Sequence, residues 1–203
     1  MDKFSYSIGM SLGQTMIGSG VKELDFDSFL SGVKVIFTGE TPAISLDEGN
    51  KILNEYFSKA KKEATAKLNE ERTTNLKVSK EYLDQHKNLD GVQETKSGLQ
   101  YKVISEQKAD TKSPTSHSRV KCHYEGRLID GTVFDSSYKR GVPATFSLEQ
   151  VIPGWTEGLQ LMTVGDKYEF TIPPQLGYGE VGVPGHIPGN SVLIFTVELL
   201  EIL

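Results

Sequence analysis

The sequence predicts an α+β protein: an all-helical N-terminal dimerisation region and a long connecting helix precede a C-terminal antiparallel sheet wrapped on a short helix. Residues 1–87 contain one proline, Pro42, whereas residues 98–203 contain the other seven. The first region repeats apolar residues at helical intervals, and the second alternates apolar and polar residues in short runs typical of strands. Segregation of helices and strands along the chain indicates the α+β class.

Two short helices are predicted at the N-terminus. The first covers about residues 4–17, where Gly9 and Gly13 lie one turn apart and would let another helix approach closely. The alternative is that each glycine merely weakens the helix, by about 1 kcal/mol. The second covers about residues 25–38, because its apolar residues recur every three to four positions and Pro42 follows it.

A long third helix is predicted from the capping sequence Ser45–Glu48 to about residue 84. Its apolar face is continuous to Leu68 and thins beyond it, so we expect a packed first half and a second half that projects into solvent as a stalk. These helices are too small to bury their apolar faces alone, which indicates a two-fold homodimer through the N-terminal helices. The alternative is that they fold back on the C-terminal domain.

The pattern divides the chain into three parts. They are a helical dimerisation domain at residues 1–44, a connecting helix at 45–88 and a β-rich domain at 89–203. The last part is predicted to form four strands and one short helix, at residues 99–104, 120–124, 168–172, 192–200 and 155–161, respectively.

Composition argues against several classes of site. The net charge of −5 argues against nucleic acid as the main partner, because nucleic-acid binding usually requires a clustered basic surface. The sequence contains no run of about 18 apolar residues, so no membrane span is predicted. The absence of a leader after Met1 predicts a cytoplasmic location, with a periplasmic or outer-membrane-associated location as the alternative if a leader was removed. The single cysteine, Cys122, is expected to be a small buried hydrophobe, and the four scattered histidines predict no metal and no other cofactor.

Short motifs in the C-terminal part are ordered and spaced as in a known family. They stand at His123–Ser137, Val151–Trp155, Thr171–Gly179, Pro184–Pro188 and Phe195–Leu200. With these motifs, residues 98–203 resemble the FKBP-type peptidylprolyl cis-trans isomerases. The segments Asp2–Gly9 and Ser97–Tyr101 resemble the Mip and FkpA branch of that family, whose members are V-shaped dimers with an intertwined helical N-terminus, a long connecting helix and one isomerase domain per arm.

The resemblance implies an isomerase (rotamase) that accelerates X-Pro isomerisation during protein folding, with chaperone activity as a homodimer. Proline-containing unfolded or partly folded polypeptides would be its partners, and macrolides possible inhibitors. The alternative function is a non-catalytic chaperone that binds proline-containing segments. A proline-binding pocket of this kind needs no nucleophile and no metal, because the reaction is a rotation and breaks no covalent bond.

Carried over by motif, the resemblance also implies the site residues. Six would be catalytic: Tyr124, Phe134, Asp135, Trp155, Tyr178 and Phe195. Five more would bind substrate: Arg140, Phe146, Val151, Ile152 and Ile187. Trp155 would lie under the proline ring, Tyr178 would donate its hydroxyl to a substrate carbonyl, and Asp135 would pair with nearby donors. Ala144, Val183 and His186 depart from the commonest pattern, which bears on peptide preference and macrolide affinity.

Overall fold

The computed structural model describes residues 1–107 and 112–203. The chain forms two compact units, residues 1–67 and 68–203. The long helix α3, Leu46–His86, contributes its first part to the first unit and its second part to the second unit. The predicted helical N-terminus and the predicted C-terminal antiparallel sheet with a short helix are both confirmed.

The first unit contains α1 (Lys3–Gly18), α2 (Phe26–Thr38) and the beginning of α3. Each helix begins where a polar side chain accepts an early backbone N–H. Asp2 accepts from Ser5 at 2.7 Å, Asp25 from Ser28 at 2.8 Å, and Ser45 from Glu48 at 3.1 Å. Gly39, with φ of 72°, ends α2 in the left-handed conformation that glycine adopts without strain.

The second part of α3 differs from its prediction. Ser79 and His86 on this part are 2% and 8% exposed, so the expectation of a solvent-projecting second half is wrong. Hydrogen bonds from Asn75 and Ser79 to main-chain carbonyls of the C-terminal unit replace the apolar contacts that would have marked a buried face. Polar residues dock this segment, which is why a search for apolar periodicity missed it.

The second unit is built on one antiparallel sheet of seven strands. They are β1 (Val92–Glu94), β2 (Gln100–Ser105), β3 (Arg119–Arg127), β4 (Val133–Ser136), β5 (Ala144–Ser147), β6 (Lys167–Ile172) and β7 (Leu193–Ile202). The order is β1-β2-β6-β7-β3-β4, with β5 also paired to β3. The four predicted strands correspond to β2, β3, β6 and β7. The short strands β1, β4 and β5 were not predicted.

One short helix, α5 (Pro153–Leu159), packs on this sheet and completes the core. Two glycines bring it close to β6. A Cβ on Gly154 would lie 2.6 Å from Ile172 Cγ2, and one on Gly158 would lie 2.7 Å from Phe170 Cε1. This close approach lets Leu159 bury its side chain completely and fixes the position of Trp155. A further one-turn helix, α4 (Ser137–Arg140), follows β4.

Within the described residues, no helix is both long enough and apolar enough to span a membrane.

Candidate active site

A cavity of about 480 Å³ lies beside α5 in the C-terminal unit. Its lining residues come from β3, β4, β5, β7, α5 and two loops. They are Tyr124, Phe134, Asp135, Phe146, Gln150, Val151, Ile152, Trp155, Tyr178 and Phe195. All of these except Gln150 are site residues predicted from the sequence.

Aromatic rings form the floor and walls of the cavity. Trp155 is 4% exposed, and its ring lies 5.2 Å from Tyr124, 5.1 Å from Phe146 and 5.3 Å from Phe195. All three contacts are edge-on, with interplanar angles of 72° to 89°, which is a favoured geometry for aromatic pairs. The cluster therefore holds the Trp155 ring from three sides.

Gly126 on β3 explains why the rings of Phe134 and Phe195 fit here. A Cβ at Gly126 would lie 2.6 Å from Phe195 Cε1 and 2.7 Å from Phe134 Cε2, distances that real side chains do not tolerate. Phe134 and Phe195 themselves meet edge-on at 5.4 Å. The missing side chain at Gly126 thus leaves room for both rings to lie over β3.

A polar group closes one side of the cavity. The Tyr124 hydroxyl donates to Asp135 Oδ2 at 2.5 Å, and Arg140 donates to Asp135 Oδ1 and, at 2.8 Å, to the Tyr124 hydroxyl. Asp135 lies on strand β4, and Arg140 lies at the end of α4, the helix that directly follows β4. The Arg140 guanidinium also lies 5.5 Å from the centre of the Tyr124 ring. Three side chains from three elements are thereby held as one unit.

The ionisation of this group is set by its surroundings. Burial alone would raise the pKa of the Asp135 carboxyl, but the hydrogen bonds from Tyr124 and Arg140, together with the Arg140 charge, lower that pKa below its usual value. Burial, and then the hydrogen bond to Asp135, raise the pKa of the Tyr124 phenol. At neutral pH the carboxyl is therefore ionised and the phenol is protonated.

Two hydrogen-bond donors at the cavity have no partner within the part of the chain that the structure describes. The indole Nε1 of Trp155 is buried without an acceptor. Tyr178 is 41% exposed, and no hydrogen bond from its hydroxyl is found among the described residues. Burial raises the pKa of the Tyr178 phenol, as does the charge of Asp135, so the hydroxyl keeps its proton.

Two predicted site residues do not line the cavity. Arg140 acts behind the wall, through Asp135 and Tyr124. Ile187 is 6% exposed and belongs to the core, where its N–H donates to Val183 at 2.8 Å. The sequence also missed Gln150, although its position directly before the motif Val151–Trp155 was the available signal.

Other residues considered in the sequence lie outside the cavity lining. Cys122 is fully buried, and burial raises the pKa of its thiol to about 12, as expected for a small hydrophobe. His123 bonds Ser137 at 3.0 Å and stacks on Tyr138 at 4.7 Å. No cluster of three or more potential metal ligands occurs within residues 1–107 and 112–203.

Comparison with known proteins identifies the family. A family model described as FKBP-type peptidyl-prolyl cis-trans isomerase matches residues 110–200, and one described as the domain amino terminal to that isomerase matches residues 1–103. The FKBP-type 22 kDa peptidyl-prolyl cis-trans isomerase of Escherichia coli (strain K12) is 42% identical, over 98% of this chain and 94% of its own length.

Two further similarities extend along nearly the whole chain. The outer membrane protein MIP of Legionella longbeachae is 37% identical, over 99% of this chain and 85% of its own length. The crystal structure of FkpA from Escherichia coli aligns with a TM-score of 0.74 at 38% identity, covering 98% of this chain and 95% of that one. The chain therefore belongs to the FKBP-type peptidyl-prolyl cis-trans isomerases, enzymes whose substrates are proline-containing polypeptides.

Proposed function

We propose that the aromatic cavity around Trp155 is the catalytic site, with the proline ring of the substrate on Trp155 and a substrate carbonyl bonded to the Tyr178 hydroxyl. One observation carries this proposal. The cavity combines apolar walls with the Tyr178 phenol at its edge, which is 41% exposed and has no hydrogen-bond partner among the described residues; an apolar ring next to a peptide carbonyl requires this arrangement. Phe146, Val151 and Ile152 would contact the flanking parts of the peptide.

The chemistry asks little of the protein beyond this environment. Rotation about a peptide bond has a barrier of about 18–20 kcal/mol, because the resonance of the C–N bond must be broken. In the twisted transition state the carbonyl oxygen carries less negative charge than in the planar ground state. Removal of water therefore disfavours the planar form more, and the apolar cavity binds the twisted form preferentially.

The polar group beside the cavity would keep its wall rigid. Tyr124 contributes its ring to the cavity and its hydroxyl to Asp135, so the orientation of the ring depends on the carboxylate. Arg140 holds the carboxylate from the solvent side. In this proposal Asp135 and Arg140 orient the site and exchange no proton with the substrate.

A protease-coupled isomerisation assay on a proline tetrapeptide tests the assignment, with the intact protein beside Trp155→Phe and Trp155→Ala. Trp155→Phe keeps a ring in the cluster and is expected to retain part of the rate. Trp155→Ala removes the ring on which the proline would lie, and is expected to lower kcat/KM by about tenfold or more. A tenfold fall corresponds to a loss of about 1.4 kcal/mol of transition-state binding. Tyr138→Phe, outside the cavity, is the control. An unchanged rate in Trp155→Ala would refute the site, and no rate in the intact protein would favour the non-catalytic chaperone.

We further propose that helices of residues 1–44 form a homodimer, joined through the connecting helix of residues 45–88 to the isomerase domain of residues 89–203. Neither α1 nor α2 has a buried residue in the single chain. Phe4, Phe26 and Phe37 are 73%, 70% and 87% exposed, and an apolar groove of about 780 Å³ runs between α2 and α3 in the first unit. Apolar surface of this extent is typical of a protein interface.

Sedimentation analysis of the intact protein and of Phe37→Glu tests the dimer. A dimer that becomes monomeric in the variant is expected, because a buried unpaired carboxylate opposes association. A monomeric intact protein would refute it. Two pockets in one dimer would raise the effective concentration of binding sites for an unfolded client, which supports a chaperone role.

The compartment and the inhibitors belong to this proposal as well. The expected cytoplasmic location has no support among the relatives, whereas the name of the Legionella longbeachae relative supports the alternative of an outer-membrane-associated location. Fractionation of cells that produce the protein distinguishes the two. Macrolides would compete with peptide for the same cavity, and loss of isomerase activity on titration with such a compound would test this.

A further inference from the structure

The second part of α3 carries a row of polar residues that bind the segment Gly189–Asn190. Asn75 Nδ2 donates to the Gly189 carbonyl at 3.1 Å, and Ser79 Oγ donates to the Asn190 carbonyl at 2.7 Å. In return, Asn190 Nδ2 donates to the Arg72 carbonyl at 3.0 Å. Positions 72, 75 and 79 share one face of the helix, so three hydrogen bonds join that face to two consecutive residues.

The bound segment is buried and packs closely against the helix. Gly189 and Asn190 are both buried, and Ser79 is 2% exposed. A Cβ on Gly189 would lie 2.0 Å from the Glu180 carbonyl oxygen and 3.1 Å from Arg72 Cγ, so only glycine fits. Asn190 has φ of 59°, the sole positive value among the non-glycine residues that the structure describes, and its side chain is committed to the helix.

The same segment forms the base of the loop that carries Tyr178. We call residues 178–190 the flap. The Asn190 N–H donates to the Gly179 carbonyl at 2.8 Å, and the Gly182 N–H donates to the Tyr178 carbonyl at 3.1 Å. The Asn190 end of the flap is therefore hydrogen-bonded to the helix, and the Gly179 end, next to Tyr178, is hydrogen-bonded to Asn190.

We propose that Asn75 and Ser79 are positioning residues of the isomerase: by fixing the base of the flap, they hold Tyr178 at the edge of the cavity. The inference rests on the proposed function of Tyr178. Neither residue touches the cavity, and both lie on a helix that the sequence pattern assigns to a connection between domains. The second part of α3 thus belongs to the catalytic unit.

The kinetic consequence follows from the population of the competent flap. If the anchors are removed, the flap spends less time in the position that binds substrate, and the apparent affinity falls by that fraction. The turnover of substrate already bound is unaffected. We therefore expect the double variant Asn75→Ala, Ser79→Ala to raise KM by about five- to thirtyfold, the range of one to two hydrogen bonds, with kcat within about twofold.

The test uses the full chain and a proline peptide over a range of concentrations that gives KM and kcat separately. Thr74→Ala is the matched control, because Thr74 is exposed on the same stretch of helix and the change has a similar effect on helix propensity. Amide hydrogen exchange without substrate is measured in parallel. The amides of Gly182 and Asn190 are expected to exchange faster in the double variant, with those of β6 and β7 unchanged.

A cycle with Tyr178→Phe separates this inference from the proposed function. If Asn75 and Ser79 act through Tyr178, their replacement should have little effect on KM once the hydroxyl is gone. An undiminished rise in KM in the Tyr178→Phe background, or an unchanged KM in the double variant, would overturn the positioning role while leaving the site intact. Unchanged kinetics in Tyr178→Phe alone would refute the proposed role of Tyr178 itself.

A variant that unfolds would show fast exchange in β6 and β7 as well. In that case the single variant Asn75→Ala carries the same test, because Asn75 is only half-buried and its loss leaves the buried Ser79 contact in place. Its expected rise in KM is about fivefold, the effect of one hydrogen bond, again with kcat retained.

Discussion

The replacement Tyr178→Phe isolates one atom of the proposed site. The hydroxyl of Tyr178 makes no hydrogen bond with any described residue, and the ring is 41% exposed. Its removal therefore leaves no buried group unpaired, and the free energy of unfolding is expected to change by less than about 0.5 kcal/mol. A hydrogen bond to a substrate carbonyl contributes about 1 kcal/mol net, which corresponds to a fall in kcat/KM of about fivefold.

Tyr138→Phe is a matched control for this replacement. Tyr138 is 40% exposed, and its hydroxyl donates to Glu198 at 3.2 Å, outside the cavity lining. Both variants are compared with the intact protein in the tetrapeptide assay and by urea unfolding. Equal kcat/KM in the two variants would refute the reasoning, as would a loss of stability in Tyr178→Phe large enough to explain its loss of rate.

Three further predictions concern the same domain. Asp135→Asn should lower kcat/KM by about two- to fivefold, because the Tyr124 hydroxyl then meets a neutral acceptor; an unchanged value would show that ring orientation does not depend on the carboxylate. The isomerisation rate of the intact protein should vary less than about twofold between pH 6 and 9. Because the pKa of Asp135 is lowered, its stabilising contribution is lost only as the pH falls below about 4, and the raised pKa of Tyr124 keeps the phenol protonated. An inflection of the rate near pH 7 would contradict this account. Leu159→Ala should lower the free energy of unfolding by about 2–5 kcal/mol, measured by urea unfolding, because Leu159 is fully buried between α5 and the sheet; a loss below about 1 kcal/mol would show that the core relaxes around the cavity.

The long regular elements could be predicted from the sequence because each carries its own periodic signal. Strand β3 illustrates this: alternation placed Cys122 and Tyr124 on one face, and both are buried there. The helices were equally accessible, since Ser45 caps α3 as the capping sequence Ser45–Glu48 predicts. Strands β4 and β5 have four residues each, too few for alternation to be visible.

The contents of the cavity were also accessible, but through motif resemblance and not through periodicity. Phe134 and Asp135 are neighbours on β4, so strict alternation would place them on opposite faces. Both line the cavity, at a point where the pairing of β4 with β3 shifts register between Gly126 and Arg127. A register shift depends on the partner strand, which a single segment of sequence does not encode locally.

The docking of α3 was missed for a different reason. Its contacts are made by Asn75, Ser79 and His86, whose polar side chains predict an exposed face. Each of them finds a polar partner inside the fold; for His86 the partner is the side chain of Gln100, itself 1% exposed. Hydrophobic patterning detects burial of apolar groups only, so an interface built from hydrogen bonds leaves no signal in it.

The burial of Cys122 means that the reactivity of its thiol can be used to measure how often the C-terminal sheet opens. The thiol has no contact with solvent, and burial raises its pKa to about 12, so it is protonated at neutral pH. A thiol reagent can therefore modify it only while the sheet is transiently open. Because the chain holds one cysteine, the rate of modification reports on that single strand in any variant, without an added label.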